Sequence, residues 1–119
     1  MLQITDPKRQ SLRDMSFPVV HPSDLPEYEG IIDAMNRHGI ERCMLFGSVA
    51  RGERRKDSDI DLFIVISGGD LLWKLWSFET SLNKKYPGTK FDVTTTLAPF
   101  VFEKAVNDFK EFKSDKQFP

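Results

Sequence analysis

Two short apolar runs constrain this chain more than any other feature. Cys43-Met44-Leu45-Phe46 stops at Gly47-Ser48, and a second run from Ile60 to Ile66 resumes after a polar interval ending in Asp59. Runs of this length, bounded by Gly and Ser, read as strands that end in loops. Along the second run, Ile60, Leu62, Ile64 and Ile66 share one face. Asp59, Asp61, Phe63 and Val65 share the other, because side chains alternate along a strand. A third run, Phe91 to Thr96, is a strand by its β-branched content.

Between these runs the period changes to that of a helix. Residues 24–38 carry Tyr28, Ile31, Ile32 and Met35 at helical spacing, with Ser23 as N-cap, Pro26 in the first turn and Gly39 just past the end. Arg37 and His38 fall in the last turn, where His38 reads as a helix-end cation. A second helix is expected over 70–85, with Leu71, Leu75, Phe78 and Leu82 as its core stripe, and a third from Pro99 to about Phe112. The order α-β-β-α-β-α predicts an α/β sandwich, a sheet of three or four strands flanked by helices. With 119 residues there is room for one domain, here 23–112, preceded by a lead-in (1–22) and followed by a short tail (113–119). Phe17, Val19 and Val20 of the lead-in are expected to dock on the body.

Composition narrows the setting. Net charge is −1, which argues against direct nucleic-acid binding through bulk charge. No apolar run approaches the length of a membrane span, and the first residues carry no apolar export segment. Cys43 is the single cysteine, so it forms no internal disulfide and reads as a core residue of a cytoplasmic protein.

The chemistry-bearing residues cluster around the first two strands. Asp59 and Asp61, two apart on one strand, project side by side, and their hard oxygens suit Mg²⁺. Alone, that pair also fits a solvated strand start. Two rival motifs fail on inspection. The segment from Asp57 has Leu62 and Gly68 where a calcium loop needs Gly and Glu, and Gly47 to Gly52 is followed by Glu53-Arg54 rather than the Lys-Ser/Thr of a P-loop. What fits is the combination: strand, Gly47-Ser48, then Asp59-x-Asp61 opening the next strand. A Gly-Ser turn exposes backbone N–H groups to a phosphate, and the returning carboxylates can hold the metal that bridges it. Asp92 is the acid inside the third strand. Ser58 reads as a turn residue, since no His base sits at a suggestive spacing. Arg54, Arg55 and Lys56 read as surface charges.

Gly47-Ser48-Val49-Ala50-Arg51-Gly52 with Ser58-Asp59-Ile60-Asp61-Leu62 resembles the signature of the DNA-polymerase-β-like nucleotidyltransferases, and within them the minimal nucleotidyltransferase (MNT) family. The resemblance implies that Asp59, Asp61 and Asp92 bind two Mg²⁺ ions and that Asp92 also helps deprotonate the acceptor hydroxyl. It implies that Gly47, Ser48 and Arg51 contact the phosphates of ATP. Larger members carry acceptor-presenting domains for which this chain has no residues, so the acceptor is small or is brought by a partner. MNT proteins resemble it in this and commonly act as antitoxins of α-helical HEPN toxins, so AMP transfer to a partner's Tyr hydroxyl is the expected activity. Stoichiometric masking of the partner and nucleotidyl transfer to an RNA 3′ end are the alternatives. Leu72, Trp73 and Trp76, beyond the core stripe of their helix, read equally as a partner surface or as residues covered by the lead-in.

Overall fold

The computed structural model describes residues 11–113. Four strands form one mixed sheet: β1 (Arg42–Phe46), β2 (Ile60–Val65), β3 (Phe91–Thr94) and β4 (Lys110–Glu111), in the order β3-β2-β1-β4. β1 runs antiparallel to β2 and β4, and β2 runs parallel to β3. The helices are α1 (Tyr28–His38), a single turn α2 (Gly47–Ala50), α3 (Leu71–Lys85) and α4 (Pro99–Val106). The α/β class and the mixed sheet are as expected.

The alternation in the strands becomes two cores. Ile60, Leu62 and Ile64 join Cys43, Leu45, Phe91 and Val93 under α1 and α3, including Ile31 and Phe78. Met44 and Phe63 face the other way, against Phe102 and Ala105 of α4, Phe109 and Leu12. Phe63 meets Phe102 edge-on at 5.9 Å and lies 5.6 Å from Phe109, the offset geometry aromatic rings favour.

Two helix boundaries differ from expectation. α1 starts at Tyr28, because Pro26 pushes Leu25 into an extended conformation (φ −145°, ψ 119°) and cuts off residues 22–24. Those residues form a separate 3-10 turn capped by the His21 side chain rather than by Ser23. Gly39 closes α1 at φ +66°, as the sequence predicts. The last helix ends at Val106 instead of Phe112: Asn107 and Asp108 turn the chain, and β4 then pairs with the free edge of β1. Within α3, only Phe78 and Leu82 are fully buried, and the expected core residue Leu71 is exposed. A helix of this length spans about 22 Å, while β3 covers about 13 Å, so the first turns of α3 overhang the sheet.

The described part of the lead-in lies against β4 and the α4 side. Val20 is buried and its N–H donates to the Glu111 carbonyl at 2.9 Å, while Phe17 packs edge-on against Phe109. Val19 is exposed. Arg42 binds both carboxylate oxygens of buried Glu111 at 2.7 Å and donates to the carbonyls of Leu12 and Met15, stitching this segment to the sheet. No helix among the described residues is long and apolar enough to cross a membrane.

Candidate active site

β1 and β2 are antiparallel, so the end of one lies beside the start of the other, and Phe46 pairs with Asp61. β2 and β3 are parallel and pair Asp61 with Asp92. The Gly47-Ser48 turn, Asp61 and Asp92 therefore converge at one end of the sheet, with Asp59 two residues ahead of Asp61. Gly47 adopts φ +79°, which L side chains rarely reach, and a Cβ there would stand 2.5 Å from Asp61 Oδ2. Glycine is thus required twice, by the backbone and by the carboxylate beside it. Gly47 and Ser48 open α2, so their amides sit in a first helical turn, where N–H groups have no intrahelical acceptor.

Burial pushes the Asp61 carboxyl above its usual range, and the charges of Asp92 and Asp59 push it further. Among the described residues no Lys or Arg pairs with any of the three. Nor do three His, Cys, Asp or Glu side chains there form a closed metal cage. Mg²⁺ does not need one: it takes one or two carboxylates and completes its shell with water and substrate phosphates. Hard, mutually repelling oxygens fit that ion.

The remaining expected residues divide. Arg51 is exposed at the end of α2, its guanidinium bonded to Asp108 at 2.8 Å and Glu53 at 3.2 Å. Ser58 Oγ accepts the Arg55 N–H at 2.7 Å, closing the loop before Asp59 as a turn residue does. Cys43 is fully buried, its thiol pushed up by burial, and is a core residue. His38 stands in the last turn of α1, its Nε2 buried without a hydrogen-bond partner among the described residues.

Sequence reasoning missed Arg54. Read as a surface charge, it forms two 2.9 Å bonds to the carboxylate of Glu27, which is buried at the start of α1. Arg54 holds Glu27 below the usual carboxylate range, against the opposing effect of burial. Thr89 Oγ1 also reaches Glu27 at 3.4 Å. The cluster ties the β1–β2 loop, α1 and the approach to β3 together at the carboxylate end. The only available signal was an Arg amid like charges, which composition cannot distinguish from a solvated loop. A cavity of about 740 Å³ opens at the opposite end of the strands, between Arg42, Val65, Leu71 and Thr96, away from these groups.

A fold and an end-of-sheet site of this kind define a nucleotidyltransferase. Residues 29–111 match the family described as "Polymerase beta, Nucleotidyltransferase". The chain is 31% identical over 80 residues to MJ0435 of Methanocaldococcus jannaschii, named as a candidate protein adenylyltransferase, covering 66% of this chain and 85% of that one. The solved structure of a candidate minimal nucleotidyltransferase superposes with a TM-score of 0.60 at 32% identity, over 71% of this chain and 87% of the other. The chain belongs to the polymerase-β nucleotidyltransferase family. Its fold also matches a toxin–antitoxin structure with AMP-PNP (TM-score 0.61, 18% identity, 76% and 75% of the two chains). A third match is the complex of tri-AMPylated Shewanella oneidensis HEPN toxin with MNT antitoxin (TM-score 0.56, 15% identity, 79% and 75%).

Proposed function

We propose that this chain is an antitoxin that transfers AMP from ATP to a hydroxyl, that of a Tyr, on an α-helical HEPN toxin, with Mg²⁺ as its metal. The observation that carries the reading is the pairing of Asp61 with Asp92 beside a glycine that only a missing side chain fits. The likeness to a candidate protein adenylyltransferase supports the AMP, and the toxin–antitoxin relatives support the partner.

In this reading Asp59, Asp61 and Asp92 would hold two Mg²⁺ ions. When bound, Mg²⁺ supplies the positive charge that offsets charge developing on the transferring phosphoryl oxygens. Gly47 and Ser48 amides hold the β- and γ-phosphates. Arg51 exchanges Asp108 for the leaving pyrophosphate. Asp92, the exposed member of the set, accepts the proton of the incoming hydroxyl at its carboxylate. The deprotonated hydroxyl oxygen of the acceptor then bonds to the α-phosphorus as the bond to pyrophosphate breaks. The buried, inert Cys43 suits a reducing cytoplasm.

Stoichiometric masking is the second reading, favoured by an exposed apolar surface on α3. Leu72, Trp73 and Trp76 are 75%, 61% and 56% exposed, and the two indoles lie 5.3 Å apart, tilted by 32°. The described part of the lead-in does not cover them. One experiment separates the two: incubate the chain with the toxin encoded beside it, labelled ATP and Mg²⁺. Transfer of label to the toxin, lost in Asp59→Asn/Asp61→Asn together with neutralisation, supports catalysis. Neutralisation by that double variant without label leaves masking.

A further inference from the structure

β3 is the outer strand of the sheet, so one side of its backbone has no neighbouring strand among the described residues. The Ile60 N–H donates to the Lys90 carbonyl at 2.9 Å, which turns Lys90 and Asp92 toward β2 and Phe91 and Val93 outward. Two side chains of α3 meet the outward groups. Asn83 Oδ1 accepts the Phe91 N–H at 2.9 Å, and Asn83 Nδ2 donates to the Phe91 carbonyl at 3.5 Å. Glu79 Oε2 accepts the Val93 N–H at 3.0 Å. The spacing matches because four helical residues rise about 6 Å and two strand residues about 6.6 Å. Asp92 lies between the two anchored residues, its own backbone turned to β2 opposite Asp61. Water could satisfy an open edge; direct bonds from half-buried side chains instead lock the strand to the helix.

We propose that Glu79 and Asn83 are positioning residues that hold Asp92 at the register its carboxylate needs beside Asp61. The inference rests on the reading of Asp92 as a site carboxylate. Bare protection of a sheet edge is the competing role, and metal affinity separates the two.

The test uses the full chain carrying Glu79→Ala and Asn83→Ala together, below its melting midpoint. Mn²⁺ affinity is read by water-proton relaxation, alongside kcat and KM for AMP transfer. The double variant is expected to lose about tenfold in Mn²⁺ affinity, the scale set by residues that orient metal ligands. Its kcat should fall more than its KM for ATP. Glu79→Gln, which keeps an acceptor for Val93, should retain wild-type affinity, and Ile31→Val, a core trim under α1, should lower the melting point alone. Unchanged Mn²⁺ affinity in the double variant overturns the positioning role and leaves edge protection. Asp92→Asn, measured in parallel, tells the failures apart. If it too leaves Mn²⁺ binding and transfer intact, the reading of Asp92 fails and the inference with it. If Asp92→Asn is impaired while the double variant is not, only the inference fails.

Discussion

The two ends of β1 and β2 handle charge in opposite ways. At one end Arg42 meets Glu111 through two 2.7 Å bonds, donates to two carbonyls and lies over the Phe17 ring, so these two charges neutralise each other. At the other, three aspartates share a small region, with no cationic side chain on them among the described residues. Arg54, in the loop between β1 and β2, pairs with Glu27 instead. Charge that is paired holds the fold together. Charge left unpaired against its own repulsion is what the proposed cation site would need, since a bound ligand would bring the missing positive charge.

The sharpest way to break this contrast is Asp61→Asn. AMP transfer should fall about 10³-fold, on the scale of losing a principal transition-state contact. Stability should not fall with it. The folded carboxyl is raised by burial and by the charges of Asp92 and Asp59, so its charge works against folding, and a neutral amide of the same shape relieves that. Parallel loss of activity and melting temperature would make Asp61 a structural residue.

At the paired end the expectation reverses. Arg42→Met strands the Glu111 carboxylate in the interior and should cost about 3 kcal/mol in urea unfolding, with most of it recovered in Arg42→Met/Glu111→Leu. Arg54→Ala should cost less, about 2 kcal/mol, because Arg54 is partly exposed. The Glu27–Arg54 pair also predicts a pH signature. Glu27 is held below its unfolded value, so its contribution is present above that value and is lost as pH falls through the folded one. Acid titration of stability should be flatter in Glu27→Gln than in the wild type over that window.

Smaller effects test the geometry. Gly47→Ala should lower stability by about 1–2 kcal/mol through its positive φ and its approach to Asp61, with transfer falling further than the melting point accounts for. Trp73→Ser should change unfolding by no more than about 0.5 kcal/mol, as for an exposed residue. A larger loss would mean that Trp73 is covered within the chain.

The strands and their faces were legible because alternation is a local property: Ile60, Leu62 and Ile64 are buried on one side and Phe63 on the other. So was the end of α1 at Gly39. Its start was not, because the choice between one long helix and a turn followed by a helix depends on Pro26 acting on Leu25. The last helix was overread for a related reason. Phe102, Phe109 and Phe112 satisfy helical spacing, yet Phe109 and Phe112 belong to opposite cores once Glu111 pairs with β1. Arg54 and Glu27 are far apart in the chain, and no local pattern links them.

By itself the sequence determined the α/β class and the alternating faces of the strands, and it nominated Gly47, Ser48, Asp59, Asp61 and Asp92 as the candidate set, because these follow from local periodicity and residue chemistry. Only the tertiary structure decided which charges are neutralised. It brought Arg42 to Glu111 and Arg54 to Glu27, and it aligned Asp92 with Asp61 across parallel strands joined by α3. Coulomb forces act through space rather than along the chain, so the partner of a buried charge is fixed by packing.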